Sequence, residues 1–526
     1  MKRFGFTRRL AVGASLATAL LALACGVWLG SAQAASSTSP ELPSKDPFYK
    51  PPSDLAKLAP GAVIRHRTVK LAEEGNSTPI SATQVLYRTT GERHQPTATV
   101  ATIIRPTTPQ AVVRLVSYQT AYDALGSECD PSYTLRGGNS SYSTAEDEEQ
   151  LILAYVDAGY TVVVPDYEGE KLDWAAGQES GYGTLDGIRA AEKFLKLPAK
   201  STRVGLVGYS GGSIATDFAG ELASKYARKL DIVGIAEGGV PVDFLHNLSY
   251  INGSPDWSGV IPAVLVSLSR AFHVSFTKFL SPYGHKVTKQ VRRECINNFV
   301  GDYPGLTIQK LLKPQYADYL HNRNLVRIAN DLIMSRTGTP RAPLYMGVGD
   351  ADGTGDGVMV TDDVEALAHT YCKRGLSVQF TVYQGDDHDE AAEPFEAGAL
   401  NFISDRLNGV SVQNGCSSIG TGNSLAPAHM PRNSDPIVLR VKNLGVKRGG
   451  HGLKLRIRTS YSSFTDMTLR LIHGKKRLAS LTVAKITRKS QTIVLVSQGK
   501  KLEPGVYKLR ESDEDQVVAR RKLTVR

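Results

Sequence analysis

The chain has 526 residues, 41% of them apolar and 7% aromatic, and 62 Lys and Arg against 51 Asp and Glu give a net charge of +11. That composition excludes a disordered or fibrous chain and supplies enough apolar surface for a large core. The charge is unevenly split: residues 434–526 hold 22 Lys and Arg against 7 Asp and Glu, the first 34 residues hold four cations, and residues 35–433 are left with a net −8. An acidic body followed by a basic tail implies two units with different surroundings.

Lys2, Arg3, Arg8 and Arg9 precede an apolar run from Leu10 to Leu29, and Ala32-Gln33-Ala34 then fits a small-residue cleavage site. Residues 1–34 therefore read as a secretory signal, and no later run is apolar and long enough to span a bilayer. Export leaves four cysteines, Cys129, Cys295, Cys372 and Cys416, which predict two disulfides with three possible pairings. No Cys or His spacing matches a zinc site, so neither a metal nor a cofactor is expected.

Residues 35–60 form an extended lead-in. Alternating apolar segments at Val63–Val69, Gln84–Thr89 and Ala98–Ile104 predict antiparallel strands. Strand and helix signals then alternate: a strand at Val112–Tyr118, a helix at Glu146–Ala158, a strand at Tyr160–Pro165, a helix at Thr184–Leu197, and strands at Val204–Val207 and Asp231–Ala236. Such alternation predicts an α/β fold with a mostly parallel sheet covered by helices. Residues 241–338 carry helical patterns (Val260–Phe272, Ile308–Leu312, Leu325–Met334) and read as a helical lid insertion. The rhythm returns with Leu344–Val348, Asp362–Cys372, Val378–Tyr383 and Glu390–Leu407, closing a catalytic unit over 35–415. A Gly/Ser/Pro-rich linker over 416–435 follows. Seven short strands at about ten-residue spacing across 436–526 then predict a small, basic β-sandwich.

The chemistry centres on Gly208-Tyr209-Ser210-Gly211-Gly212, a G-x-S-x-G pattern between the strand ending at Val207 and a helix from Ser213 to Leu230. A serine on such a strand-to-helix turn projects its hydroxyl at a helix N-terminus, where backbone N–H groups stabilise an oxyanion. Ser210 is the candidate nucleophile and the N–H of Gly211 the first oxyanion donor. On this fold the acid and then the histidine follow the serine in chain order. His388, between the last strand and the last helix of the body, fits the base. Asp350, Asp352 and Asp356 follow the strand at Leu344–Val348; Asp356, before an apolar run, is the preferred acid and Asp352 the second choice. The same loop resembles a calcium loop superficially, but its twelfth position is Thr361 instead of Glu, which argues against calcium. The second oxyanion donor is expected from the loop Ser117–Asp123.

At these residues the chain resembles the secretory lipase family typified by Candida lipase A. The resemblance rests on Ser117-Tyr-Gln-Thr-Ala-Tyr-Asp123 and its continuation to Tyr133, Pro165-Asp-Tyr-Glu-Gly169, Leu185-Asp-Gly-Ile-Arg189, Gly208–Gly212 and Gly238-Gly-Val-Pro241, and spans roughly residues 46–416. It implies an α/β-hydrolase with a helical lid, with Ser210, Asp356 and His388 as the triad. It also implies oxyanion donors on the backbone of Asp123 and Gly211, and disulfides Cys129–Cys295 and Cys372–Cys416. The basic β tail is additional to that pattern.

The function expected is a secreted serine ester hydrolase acting on acylglycerols or similar lipid esters, with transient contact at a lipid interface. Acyl transfer and short-chain ester hydrolysis use the same triad. A non-enzymatic alternative is an envelope-binding protein with a vestigial hydrolase body, against which an ordered Ser/Asp/His set argues. The tail suggests an anionic cell-surface polymer as a partner. Nucleic acid is not expected, because the tail has few aromatic side chains for stacking.

Overall fold

The computed structural model describes residues 40–73, 76–108, 110–138, 148–499, 501–513 and 516–526. The expected export signal at 1–34 and the first two residues of the helix expected from Glu146 lie outside the described residues. Three antiparallel strands come first: β1 (Val63–Glu73), β2 (Asn76–Thr90) and β3 (Pro96–Ile104). Six more follow: β4 (Leu115–Gln119), β5 (Thr161–Pro165), β6 (Arg203–Tyr209), β7 (Asp231–Gly238), β8 (Leu344–Asp350) and β9 (Val378–Gln384). They join in one nine-stranded sheet of order β1-β2-β3-β5-β4-β6-β7-β8-β9, parallel from β5 to β9. Strands β4 and β5 are buried at every residue, as both faces of a covered parallel sheet require.

Helices α1 (Glu149–Asp157), α2 (Gly177–Leu195) and α3 (Gly211–Tyr226) connect the central strands. Helix α2 begins seven residues before the expected Thr184. Its first turns are glycine-rich, which disfavours a helix locally, but a side chain at Gly181 would meet the Phe218 backbone of α3 at 2.7 Å. Close helix packing overrides local propensity here. The strand expected from Val112 starts at Leu115, since Val112 is exposed and has no core to join.

Between β7 and β8 the chain leaves the sheet for the helical insertion, with α4 (Phe244–Tyr250), α5 (Val260–Ala271), α6 (Pro282–Val291) and α7 (Arg323–Asp331). Asp243, Ser281 and Asn322 cap the first, third and fourth of these by accepting from backbone N–H groups, which fixes where each helix begins. The disulfide Cys129–Cys295 ties this insertion to the loop after β4. Helices α8 (Thr361–Lys373) and α9 (Ala392–Leu407) complete the body, and Cys372–Cys416 fastens the segment after α9 back to α8. One core gathers α2, α3, α8 and the insertion on one side of the sheet; a second gathers α1 and α9 on the other.

Residues 419–435 run along the body, where Asn423 N donates to Asp362 O, and Asn330 exchanges hydrogen bonds with the Ala428 backbone. Beyond them stand β10 (Leu439–Val446), β11 (Gly452–Thr459), β12 (Phe464–His473), β13 (Lys476–Ile486), β14 (Gln491–Val496), β15 (Gly505–Asp513) and β16 (Gln516–Val525). They form antiparallel sheets β10-β11-β14 and β13-β12-β15-β16 around a single apolar core of their own. This unit rests on the insertion: Ile437 N donates to Gln315 O, and Tyr461 stacks on His321 at 3.9 Å.

Candidate active site

Strand β6 delivers Ser210 into a tight turn ahead of a helix. Ser210 has φ 52° and ψ −125°, a sparsely populated positive-φ conformation that costs a non-glycine residue about 1–3 kcal/mol. Its N–H donates to Gly238 O in β7, which offsets part of that strain. Gly212 lies against β4, where a Cβ would come within 1.9 Å of Gln119 O. Helix α3 starts at the next residue, so its N-terminal dipole points at the serine.

His388 Nε2 lies 2.8 Å from Ser210 Oγ, and His388 Nδ1 lies 2.7 Å from Asp356 Oδ2. Asp356 is fully buried; its second oxygen accepts from Val358 N and Met359 N, and its carbonyl accepts from His388 N. Asp352 stands apart, exposed, closing its own turn by accepting from Thr354 N and Gly355 N. Burial pushes the His388 imidazole down, but the charge and hydrogen bond of Asp356, with Asp389 and Asp123 adding, outweigh it, and its pKa ends above the ordinary 6.5. Tyr209 Oη donates to His388 O, and the Trp257 ring meets the imidazole edge-on.

Asp123 also has a positive φ, 37°, and its Oδ1 would lie 1.7 Å from a Cβ at Gly211. Its side chain therefore lies against the Gly211 backbone. The Asp123 carboxyl is 3% exposed, and burial raises its pKa to about 7 against the pull of the Trp174 N–H, His388 and its own N–H. Two segments far apart in the chain hold this loop. Glu168 accepts from Ala124 N, Tyr122 Oη accepts from Glu168 N, and Tyr167 Oη donates to Thr120 O. The two motifs singled out at 117–123 and 165–169 are thus parts of one buried lock.

Ser210, Gly211 and Asp123 open into an apolar cavity with about 790 Å³ of free space, counting its mouth. Its walls include Trp174 and Phe218 from the body and Leu248, Ile251, Val264 and Met334 from the insertion. Asn247 is a polar exception, its Nδ2 bonded to Val358 O in the acid turn. Trp257 and Asn247 carry no local signal in the sequence, because their partners lie more than 100 residues away. Among the described residues, no cluster of three or more His, Cys, Asp or Glu is arranged to hold a metal ion.

The profile of the secretory lipase family matches residues 137–415, just over half of the chain. The chain belongs to the secretory lipase family. Candida antarctica lipase A, as a solved structure, is 30% identical and superposes with a TM-score of 0.67, covering 75% of this chain and 94% of that one. A secreted triacylglycerol lipase of Malassezia furfur is 31% identical over 384 residues, 71% of this chain and 78% of its own length. A Mycobacterium tuberculosis protein named as a probable inactive lipase is 33% identical over 382 residues, 70% of this chain and 83% of its own. The fold is therefore an α/β-hydrolase, and the protein is a lipase-type carboxylic ester hydrolase acting on lipid or other ester substrates.

Proposed function

We propose that Ser210 is the nucleophile, His388 the general base and Asp356 the residue that orients it, in hydrolysis of acylglycerols or similar lipid esters by a secreted enzyme. The observation that carries this is the unbroken hydrogen-bond chain from Ser210 Oγ through both imidazole nitrogens to Asp356. His388 takes the serine proton as Oγ attacks the ester carbonyl, and Asp356 stabilises the imidazolium that results. The oxyanion rests on the N–H groups of Asp123 and Gly211, at the positive end of α3. Collapse expels the alcohol with the proton from His388; water, deprotonated by the same imidazole, then frees the acid. The apolar cavity above Ser210 takes the acyl chain.

Residues 1–34 serve as the export signal, 35–415 as the catalytic unit with its lid at 241–338, and 416–435 as the connector. The basic unit at 436–526 tethers the enzyme to an anionic surface polymer, a reading supported by its 22 Lys and Arg against 6 Asp and Glu. For the catalytic roles, a fluorophosphonate should label Ser210 and no other residue, read by peptide mass spectrometry. Labelling should be at least about 10³-fold slower in His388→Ala, as removal of the base requires. Labelling elsewhere would overturn the assignment.

A further inference from the structure

Inside the C-terminal sandwich, alternate residues of each strand enter the shared core, and the residues between them face outward. On the β10–β11 face, Arg440 pairs with Arg458 and Lys442 with Arg456, directly across the strands. On the opposite sheet, Arg470 pairs with Arg510 and Arg510 with Arg520, a rung of three arginines over three strands; the neighbouring rung sets Lys508 against Lys522. Like charges directly opposite each other destabilise a sheet. Arg470 Nη1 donates to the neutral Ser512 Oγ, and the Arg521–Glu511 ion pair, with Glu511 fully buried, involves none of these rung residues. Arg510 Nε is buried without a partner at the centre of its rung.

We infer that these two outer faces bind a linear polyanion with one phosphodiester or carboxylate charge per repeat; this rests on the tether reading and assigns it to residues. Strands stand about 4.8 Å apart and successive outward residues about 6.7 Å along a strand, so each face is a regular grid of cations. A grid meets a repeating charge better than it meets one small anion. The faces lie on opposite sides of one sandwich, so a planar bilayer reaches only one of them, whereas polymer chains follow both. Tyr507 is turned inward at 2% exposure and offers no platform for stacked bases. The repulsion in the rungs is a cost that a bound polyanion removes.

The test uses the purified full-length protein, long-chain polyphosphate as the probe, and titration calorimetry at 50 and 200 mM NaCl. The variants are R470Q/R510Q/R520Q, R440Q/R456Q/R458Q and their combination. Each triple variant should weaken binding at least about 10-fold and lower the slope of log affinity against log salt by roughly 2, from three lost contacts. The six-fold variant, which keeps Lys442, Lys508 and Lys522, should bind at least about 100-fold more weakly than the parent. Turnover of a soluble ester should be unchanged, and without polymer each variant should melt no lower than the parent, since repulsion is relieved. If the parent binds and the variants bind equally well, the faces are wrong and the tether reading stands. If the parent fails to bind at 50 mM salt, both fall. Binding to phosphatidylglycerol vesicles without binding to polyphosphate would overturn the polymer in favour of a lipid surface.

Discussion

The indole of Trp257 stands edge-on to the imidazole of His388, with ring centroids 5.3 Å apart at 86°. Trp257 belongs to the helical insertion and His388 to the last loop of the body, so the insertion reaches the ring of the proposed base directly. Tyr250, from α4, strengthens the link by accepting from Gly357 N beside Asp356. Trp257→Ala should lower kcat/KM by about 10²-fold, the scale of a misplaced catalytic group, with little change in Tm. Steady-state kinetics beside a thermal melt checks this; unchanged kinetics would free the insertion from any part in positioning the base.

Two titrations bound the pH range of activity. As the proposed base, His388 must be neutral to act, and its pKa lies above 6.5, so activity should fall as pH drops through that value. Asp123, raised to about 7, places a negative charge at the proposed oxyanion site once ionised, and its carboxylate then draws on its own N–H. Activity should therefore also fall on the alkaline side. Asp123→Asn should lose the alkaline limb and move the acid limb to lower pH, since Asp123 helps hold the imidazole pKa up, read from kcat/KM between pH 5 and 10. A profile identical to that of the parent would exclude the Asp123 side chain from the alkaline limb.

The body buries many carboxyl groups without cations beside them. Burial raises Glu92 to about 8 and Asp166 and Glu396 to about 7. The folded chain thus keeps protons that the unfolded chain releases near pH 4–5. Their contribution is full below that range and is lost as pH climbs to about 8. Tm measured by calorimetry should fall from pH 5 to pH 8. Glu396→Gln, which keeps an acceptor for Tyr118 Oη, should make that fall shallower.

The two disulfides close loops of very different length, 166 and 44 residues. Cys129→Ser with Cys295→Ser should cost about 5 kcal/mol, and Cys372→Ser with Cys416→Ser about 4 kcal/mol, by loop entropy alone. Urea melts of the two double variants give the order directly.

The sequence revealed the strand–turn–helix at Ser210 and the place of His388 because both depend on local patterns: a buried strand, small residues at the turn, and a helix after it. The seven strands of the tail were legible for the same reason, since their alternation is local. The start of α2 was not, because its glycines are explained only by Phe218 on another helix. Trp257 and Asn247 were not either, as their roles come from the way the insertion folds back over the acid turn. The like-charge rungs required strand register, which alternation alone leaves open.

The most direct test of the account is hydrolysis of p-nitrophenyl esters from C2 to C18 by the purified protein, with Ser210→Ala beside it. Turnover should peak at medium or long chains, as an apolar acyl cavity requires, and the variant should lose about 10⁴-fold or more in kcat. Full activity in Ser210→Ala, or no serine-dependent turnover on any chain length, would contradict the account.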